Sequence, residues 1–300
     1  MSKLPLLILA ISIATSAAAQ DRDFSKVEIK TVKVAGPISM LQGAGGNIAI
    51  SAGEDGVAMI DDQFAPLSPK IHAAIAALSP KPVHFLINTH WHGDHTGGNA
   101  QFADTATILA NANIRKRLVS GGEIAAAHMK IEPAAKAALP VVTFDQGLSL
   151  WWNGEEIQAI HMGPGHTDGD TVIWFKKSNV VHMGDDFVTY AGFPFVDLAS
   201  GGSVQGLIAS VDVVLGMIPA DAKIIPGHGD LATVADLKKY RAKLDEMLGI
   251  VKKGLAAGKS VEQLQKEKVL VAWDDPTGKA FIKADQFIAT IAEDLKPHSR

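Results

Sequence analysis

The stretch LINTHWHGDHTGGN, Leu86–Asn99, carries three histidines and an aspartate within six positions at the end of an apolar run. These are His90, His92, Asp94 and His95. Residues two apart on an extended chain point to the same side, so His90 and His92 face one point. The glycine that follows permits a sharp change of direction, after which Asp94 and His95 face a second point nearby. Because only 11 of the 300 residues are histidine, this density predicts metal binding.

The composition limits both the metal chemistry and the partners of the chain. There is no cysteine, so a metal must be held by nitrogen and oxygen ligands. A histidine-rich set favours zinc and would also accept iron or manganese. With 47% hydrophobic and 20% charged residues, the chain has enough apolar sequence to bury a core. The formal net charge is -4 and no basic run is present, so nucleic acid is not an expected partner.

Three further motifs place a histidine or an aspartate in a tight loop or at the end of an apolar strand. GPGHTDGDT carries His166 in a glycine-rich loop. A phosphate-binding loop is the alternative there, although a strand pattern rather than a helix follows it. VVHMGDD carries Asp185 at a strand end, with a helix or turn cap as the alternative role and its neighbour Asp186 as the alternative residue, and IIPGHGD carries His228 between two glycines.

Strand and helix patterns alternate along the chain, which predicts an α/β fold. The predicted strands cover residues 47–51, 57–61, 83–88, 106–109, 141–144, 156–162, 171–175, 180–183 and 223–225. The predicted helices cover residues 69–78, 110–117, 204–217, 235–255 and 279–295. Trp151 and Trp152 lie in a strand-like run and are predicted to be core residues. No linker or repeat interrupts this alternation, so residues 25–300 are predicted to form a single domain with a helical C-terminal part.

The first 19 residues have the pattern of a secretory signal peptide. Lys3 precedes an apolar run from Leu4 to Ile13, and Ala17 and Ala19 form an A-x-A cleavage site. A membrane anchor is the alternative, but the run is shorter than the roughly 20 residues that a bilayer span needs. We expect cleavage after Ala19, no stable membrane anchor afterwards, and a periplasmic or secreted location.

The ordered motifs resemble those of the metallo-β-lactamase superfamily of hydrolases. VAMID ends in Asp61, the H-x-H-x-D-H motif follows, and the motifs of His166, Asp185 and His228 come next in the order that the superfamily requires. The resemblance spans residues 43–229. It implies a four-layer αβ/βα sandwich with a metal site at the edge of two sheets, supported from behind by Asp61.

The resemblance also implies ligands for two divalent ions, which we expect to be zinc. The expected ligands of the first ion are His90, His92 and His166. Those of the second ion are Asp94, His95 and His228, and Asp185 is expected to bridge the two. Two ions about 3.5–4 Å apart share a hydroxide that can attack the carbonyl of a small-molecule substrate at neutral pH. Asp94 and Asp185 are the expected catalytic residues.

The substrate class is narrowed by the residues around these ligands. GPGHTDGDTVIWF resembles the corresponding segment of periplasmic B1 metallo-β-lactamases, which makes a β-lactam one candidate. However, Asp185 stands where those enzymes have a metal-binding Cys, and Val188 stands where they have a Lys that grips the substrate carboxylate. Asp185 and His95 are similar instead to esterase, lactonase and glyoxalase II-like thioesterase branches. Hydrolysis of a β-lactam, lactone, ester or thioester is expected, and the alternative is a non-catalytic metal-binding protein on the same scaffold.

Aromatic residues next to the motifs are candidates for the walls of a substrate pocket. Trp91 lies between two expected ligands, and Tyr190, Phe193 and Phe195 lie in the irregular segment after VVHMGDD. In one interpretation, this loop closes over an apolar substrate. In the alternative interpretation, its rings only pack the loop onto the body of the protein.

Overall fold

The computed structural model describes residues 23–124 and 129–297. The predicted signal peptide, residues 1–19, lies outside the described residues. Within the two described ranges, no helix has the length and apolar character that crossing a membrane requires.

The first sheet has seven strands, which follow the chain in spatial order. They are β1 (Lys30–Ala35), β2 (Ile38–Gln42), β3 (Ile48–Gly53), β4 (Gly56–Ile60), β5 (Val83–Ile87), β6 (Thr107–Asn111) and β9 (Val142–Phe144). Strands β1 to β4 pair antiparallel, and β4, β5, β6 and β9 pair parallel. Between β6 and β9, strands β7 (Gly122–Ile124) and β8 (Met129–Ile131) form a separate antiparallel pair.

The second sheet has six strands, also in chain order. They are β10 (Gly147–Trp152), β11 (Glu155–His161), β12 (Thr171–Phe175), β13 (Val180–His182), β14 (Lys223–Ile225) and β15 (Ala232–Thr233). Strands β13 and β14 pair parallel, and the other neighbours pair antiparallel.

The helices of the described residues connect the strands and form the C-terminal part. They are α1 (Ser68–Ala76), α2 (Gly93–Thr96), α3 (Asn99–Phe102), α4 (Ala112–Ser120), α5 (Val204–Met217), α6 (Val234–Ala256), α7 (Val261–Lys266) and α8 (Ala284–Asp294). The Thr233 and Ser260 side chains cap the N-termini of α6 and α7 by accepting from the backbone N–H groups of Asp236 and Gln263. Such caps stabilise a helix end by about 1 kcal/mol.

Apolar side chains fill three successive interfaces, one between the two sheets and one between each sheet and the helices that cover it. Ile38 and Ile60 of the first sheet pack in one cluster with Ile157 and Phe175 of the second. The opposite face of the first sheet packs under α1 and α3, and the opposite face of the second sheet packs under α5, α6 and α8. Each fully buried side chain of this size contributes about 1.5–3 kcal/mol. The order helices, sheet, sheet, helices confirms the predicted four-layer αβ/βα sandwich.

The metal-ligand motifs meet at one edge, where strands of both sheets end. The neighbours β4 and β5 are parallel, as are β13 and β14, so each pair places its carboxyl ends side by side. Asn47 joins the two sheets here, because its Nδ2 donates to the carbonyl oxygens of Pro226 at 2.8 Å and Gly229 at 2.9 Å. Side chains that follow strands of different sheets are thereby held next to one another.

Two glycines at this edge leave room for the ligand side chains. A Cβ atom on Gly46 would overlap the ring of His95, and a Cβ atom on Gly227 would overlap the carboxylate of Asp185. The absence of a side chain at both positions lets the backbone approach these groups closely.

Candidate metal centre

Five histidines and two aspartates from four separate segments come together at this edge. They fall into three sets whose ligand atoms lie within 4.8 Å of one another: His90, His92 and His166; Asp94, His95 and His228; and His90, His95 and Asp185. The Asp185 carboxylate lies 3.2 Å from His95 Nε2 and 3.7 Å from His166 Nε2. It therefore stands between the other two sets, where the sequence analysis expected the bridging ligand.

Two histidines of the first set direct unprotonated ring nitrogens at each other. His92 Nε2 donates to Asp197 Oδ2 at 3.0 Å, and His166 Nδ1 donates to the carbonyl oxygen of Phe195 at 2.7 Å. Both partners only accept hydrogen bonds, which assigns the protons to these nitrogens. His92 Nδ1 and His166 Nε2 then face each other at 2.8 Å as two lone pairs. A cation between them removes the repulsion of this arrangement.

His90 presents a third free nitrogen to the same point. Thr89 Oγ1 donates to Asp61 Oδ2 at 2.7 Å, so its lone pairs accept from His90 Nδ1 at 3.1 Å. His90 Nε2 is left unprotonated, buried and without a hydrogen-bond partner. An unpaired buried nitrogen costs free energy unless a ligand satisfies it.

Burial keeps the His90 and His166 rings neutral, which is the form that binds metal. Desolvation, assisted by the neighbouring histidines, lowers the pKa of His90 well below its ordinary value. Desolvation also lowers the pKa of His166 to about 4. At neutral pH both nitrogens therefore carry lone pairs rather than protons.

The second set combines histidines with carboxylates. His95 Nδ1 donates to Asp61 Oδ2 at 2.7 Å, and His95 Nε2 lies 3.3 Å from His228 Nε2. Asp94 Oδ2 lies 3.2 Å from His228 Nε2. Burial acts to lower the pKa of His228, but the Asp185 and Asp94 carboxylates outweigh it and raise the pKa to about 10. The carboxylates thus attract positive charge to this point.

The donor chemistry fits divalent metal ions. Five imidazoles and two carboxylates are more ligands than a single tetrahedral ion takes. Nitrogen and oxygen donors in this proportion suit zinc, iron or manganese. In His92, His95 and His166, the ring nitrogen that points away from the centre is hydrogen-bonded to Asp197, Asp61 and a backbone carbonyl, respectively. Metal-ligating histidines in proteins are oriented in this way.

Comparison with protein families agrees with this geometry. The model of the metallo-β-lactamase superfamily matches residues 46–248, which include all seven candidate ligands. The chain belongs to the metallo-β-lactamase superfamily. Members of this superfamily use divalent metals, and the His-rich clusters described above are potential sites for them.

Individual relatives share about a third or less of their residues with this chain over the matched segments. The 2,4-dinitroanisole O-demethylase subunit alpha of a Nocardioides species is 32% identical over 143 residues, 46% of this chain and 40% of the relative. The hydroxyacylglutathione hydrolase of Nitrosococcus oceani is 27% identical over 187 residues, 61% of each chain. The chain thus spans less than two thirds of the length of either relative.

Solved structures show the same fold. A metallo-β-lactamase from Pontibacter korlensis superposes with a TM-score of 0.62 at 15% identity, covering 73% of this chain and 99% of that one. The DIM-1 metallo-β-lactamase gives a TM-score of 0.59 at 19% identity, covering 74% of this chain and 99% of that one.

Asp197 was not predicted from the sequence, and the structure bears on the choice between Asp185 and Asp186 as a ligand. Asp197, which orients His92, lies 105 residues from it, and no local motif marks it. Asp186, the alternative to Asp185, accepts from the backbone N–H of His166 and from Ser210 Oγ. Its carboxylate belongs to none of the three candidate ligand sets.

The predicted pocket residues divide into two groups. Trp91 is 2% exposed, and its Nε1 donates to Ser200 Oγ at 3.0 Å. Phe193 is fully buried against Phe287 at a centroid distance of 5.3 Å. Both side chains are therefore packed in the core of the described residues.

The other two predicted pocket residues lie beside the metal ligands. Tyr190 is half-buried, with its ring 6.2 Å from that of His228. The half-buried Phe195 ring stacks on His92 at 5.6 Å. Both positions are compatible with contact to a substrate.

Proposed function

We propose that this superfamily member is a metal-dependent hydrolase that binds two divalent ions and cleaves a carbonyl bond in a small β-lactam, lactone, ester or thioester. The observation that carries the proposal is the set of unprotonated nitrogens, His90 Nε2, His92 Nδ1 and His166 Nε2, directed at one point beside two carboxylates. Divalent ions held there supply Lewis acidity and lower the pKa of a bound water to about 7.

The protein's own groups keep the ligands in this arrangement. Asp197 and the Phe195 carbonyl hold the ring protons of His92 and His166 away from the centre. Asp61 does the same for His95 and is itself held by the backbone N–H of Thr89 at 2.8 Å. A centre whose ligands need no reorganisation before reaction gives preorganised electrostatic stabilisation of the transition state.

Asp185 contributes negative charge between the two ligand sets. Its carboxylate lies within 3.7 Å of ring nitrogens of His95, His166 and His228. Desolvation opposes ionisation, but the His228 and His95 rings outweigh it and hold the pKa of Asp185 well below its ordinary value. Asp185 is therefore ionised throughout the neutral range and is the residue we assign to bridging the two ions.

The names of matched relatives support a carbonyl substrate. The Nitrosococcus oceani relative is named a hydroxyacylglutathione hydrolase, and a relative from Aspergillus fumigatus is named an atrochrysone carboxyl ACP thioesterase. We favour zinc as the native metal because of the number of imidazole donors, with iron or manganese as substitutes.

We further propose that the enzyme acts in the periplasm or outside the cell, after removal of residues 1–19. The support is the pattern of a positive residue, an apolar run and an A-x-A site. Expression of the full chain in a bacterium and N-terminal sequencing of the exported protein test this. A mature N-terminus at Gln20 is expected, and a cytoplasmic product that still begins at Met1 would contradict it.

The experiment for hydrolysis compares metal-free and metal-loaded protein. Protein stripped by a chelator is loaded with zinc, iron or manganese and assayed with a β-lactam, a lactone, an ester and a thioester. We expect hydrolysis of at least one substrate that is lost on chelation and restored by metal. Asp185→Asn serves as the inactive control. Tight binding of metal without hydrolysis of any substrate would favour the non-catalytic metal-binding alternative.

A further inference from the structure

The aromatic ring of Phe195 extends the metal centre towards the C-terminal part of the chain. It stacks on His92 at a centroid distance of 5.6 Å and meets His166 edge-on at 5.5 Å. Its other neighbour is Phe281, whose ring lies 5.5 Å away at an interplanar angle of 89°. A continuous row of rings therefore leads from two metal ligands to Phe281.

Phe281 is held in place yet left open to solvent. The Asp275 carboxylate accepts from the backbone N–H of Ala280 at 2.9 Å on one side of it. On the other side, Ile282 is 4% exposed and Phe287 is fully buried in the core. The Phe281 side chain between these anchors is 53% exposed. A large apolar ring fixed at the surface beside a reactive centre is typical of a binding site.

A cavity lies next to Phe195, with Ile282, the neighbour of Phe281 in the chain, on its other side. Its volume is about 280 Å³, and it separates residues 194–199 from the segment 282–290. Phe195, Leu198, Ile282 and Ala289 are among its walls. At roughly 30 Å³ for each water-sized group, this space takes about nine non-hydrogen atoms.

The second wall of this region is not part of the matched superfamily region. The family match ends at residue 248, whereas Phe281, Ile282 and Ala289 come later in the chain. The superfamily region therefore supplies the metal ligands and Phe195, and the C-terminal segment supplies the facing apolar surface.

We propose that Phe195, Phe281 and the adjoining cavity form a subsite for an apolar group of the substrate, of about the size of a phenylalkyl chain. The inference rests on the proposed function, and it adds that the hydrolysed substrate carries such a group on either the acyl side or the leaving-group side of the cleaved bond. Apolar and aromatic walls favour such a group because its burial removes apolar surface from water.

The first test measures binding without metal or hydrolysis. The affinity of 4-phenylbutanamide for the metal-free protein is measured by ligand-observed NMR, with acetamide for comparison. We expect binding of 4-phenylbutanamide that weakens at least fivefold in Phe281→Ala and is retained in Phe281→Leu. Val271→Ala is the matched control, since Val271 is 55% exposed and also follows the family match. Equal binding to the wild-type protein and Phe281→Ala would overturn the proposal.

The second test measures selectivity in the metal-loaded protein. Methyl 4-phenylbutanoate carries the apolar group on the acyl side, 4-phenylbutyl acetate carries it on the alcohol side, and methyl acetate lacks it. For one of the first two, we expect the kcat/KM ratio to methyl acetate to fall about tenfold in Phe281→Ala, mainly through KM. A ratio that Phe281→Ala leaves unchanged for both would overturn the subsite. Hydrolysis of none of the esters, combined with Phe281-dependent amide binding, would support the subsite and reject ester hydrolysis, and the panel of β-lactam, lactone, ester and thioester tests the proposed hydrolase itself.

Discussion

Asp197 offers the sharpest test of how the metal ligands are held. Its carboxylate is buried, accepts from His92 Nε2 at 3.0 Å, and is fixed in turn by Ser200 Oγ at 2.5 Å. Replacing it by alanine removes the acceptor that keeps the proton off His92 Nδ1. His92 is then free to change tautomer, and its Nε2–H group is left in a buried site without a partner.

The size of the effect follows from the role of such partners in metal sites. Loss of the group that orients a ligating histidine typically weakens metal binding 10- to 100-fold. This corresponds to about 1.4–2.8 kcal/mol. We expect Asp197→Ala to lie near 100-fold and Asp197→Asn near tenfold, because the amide oxygen of asparagine still accepts from His92.

The assay is a zinc titration in competition with a chromophoric chelator. We expect only one of two binding steps to weaken, because Asp197 contacts His92 and none of Asp94, His95 and His228. Asp212→Asn is the control, since this exposed carboxylate pairs with Arg241 on the surface. Thermal unfolding of each metal-free variant separates ligand orientation from loss of stability. Unchanged zinc affinity in Asp197→Ala, or equal weakening of both steps, would refute the reasoning.

Three further outcomes are expected. Asp185→Asn should reduce the metal content and lower kcat/KM by a factor that corresponds to several kcal/mol of lost transition-state stabilisation. Asp186→Asn should retain two metal equivalents. Metal analysis showing the reverse would place the bridging ligand at residue 186. Removal of metal should lower the free energy of unfolding, by about 2.7 kcal/mol for each of the two sites relative to protein kept at a free metal concentration 100 times Kd, measured by urea unfolding. The folded-state pKa of His166 is lowered from 6.5 to about 4, so only the unfolded chain binds the proton as pH falls through this interval. Metal-free protein should therefore lose about 3 kcal/mol of stability from this group between pH 7 and pH 4. A rise in stability in urea unfolding at pH 7, 5.5 and 4 would contradict this expectation.

Much of the fold was predictable because local patterns and final burial agree. All nine predicted strands are present, and the sandwich buries most of their apolar residues, with Val141 and Val142 at β9 as exposed exceptions. Strand β10 shows where the prediction failed. Leu148, Leu150 and Trp152 alternate towards the core, and Trp151 points outwards with 73% exposure. Because side chains alternate between the two faces of a strand, only one of two consecutive tryptophans faces the core, and the prediction of a core position is wrong for Trp151.

The C-terminal helix was predicted to begin too early, at residue 279. The Asp275 carboxylate accepts from the backbone N–H groups of Thr277, Lys279 and Ala280, which holds this segment in a turn. Helix α8 therefore begins at Ala284. Aspartate competes with helix formation in this way because its short side chain bonds nearby backbone groups.

The candidate ligands were predictable from the sequence, whereas the groups that orient them were only partly so. Four of the seven lie within six positions, and each of the others sits in a glycine-containing motif at a strand end. Asp197 and the carbonyl of Phe195 act through contacts between segments far apart in the chain, which no local pattern encodes. The burial of Trp91 and Phe193 likewise depends on packing partners outside their own segments.

The most direct test of the central claim measures metal stoichiometry and hydrolysis in the same titration. Metal-free protein receives zinc in steps, and bound metal per chain and the rate on the best substrate of the panel are recorded at each step. The two ligand sets with Asp185 between them predict two bound equivalents, with the full rate reached only when the second is filled. Full activity with one tightly bound equivalent, and no gain on adding more zinc, would contradict the two-metal account.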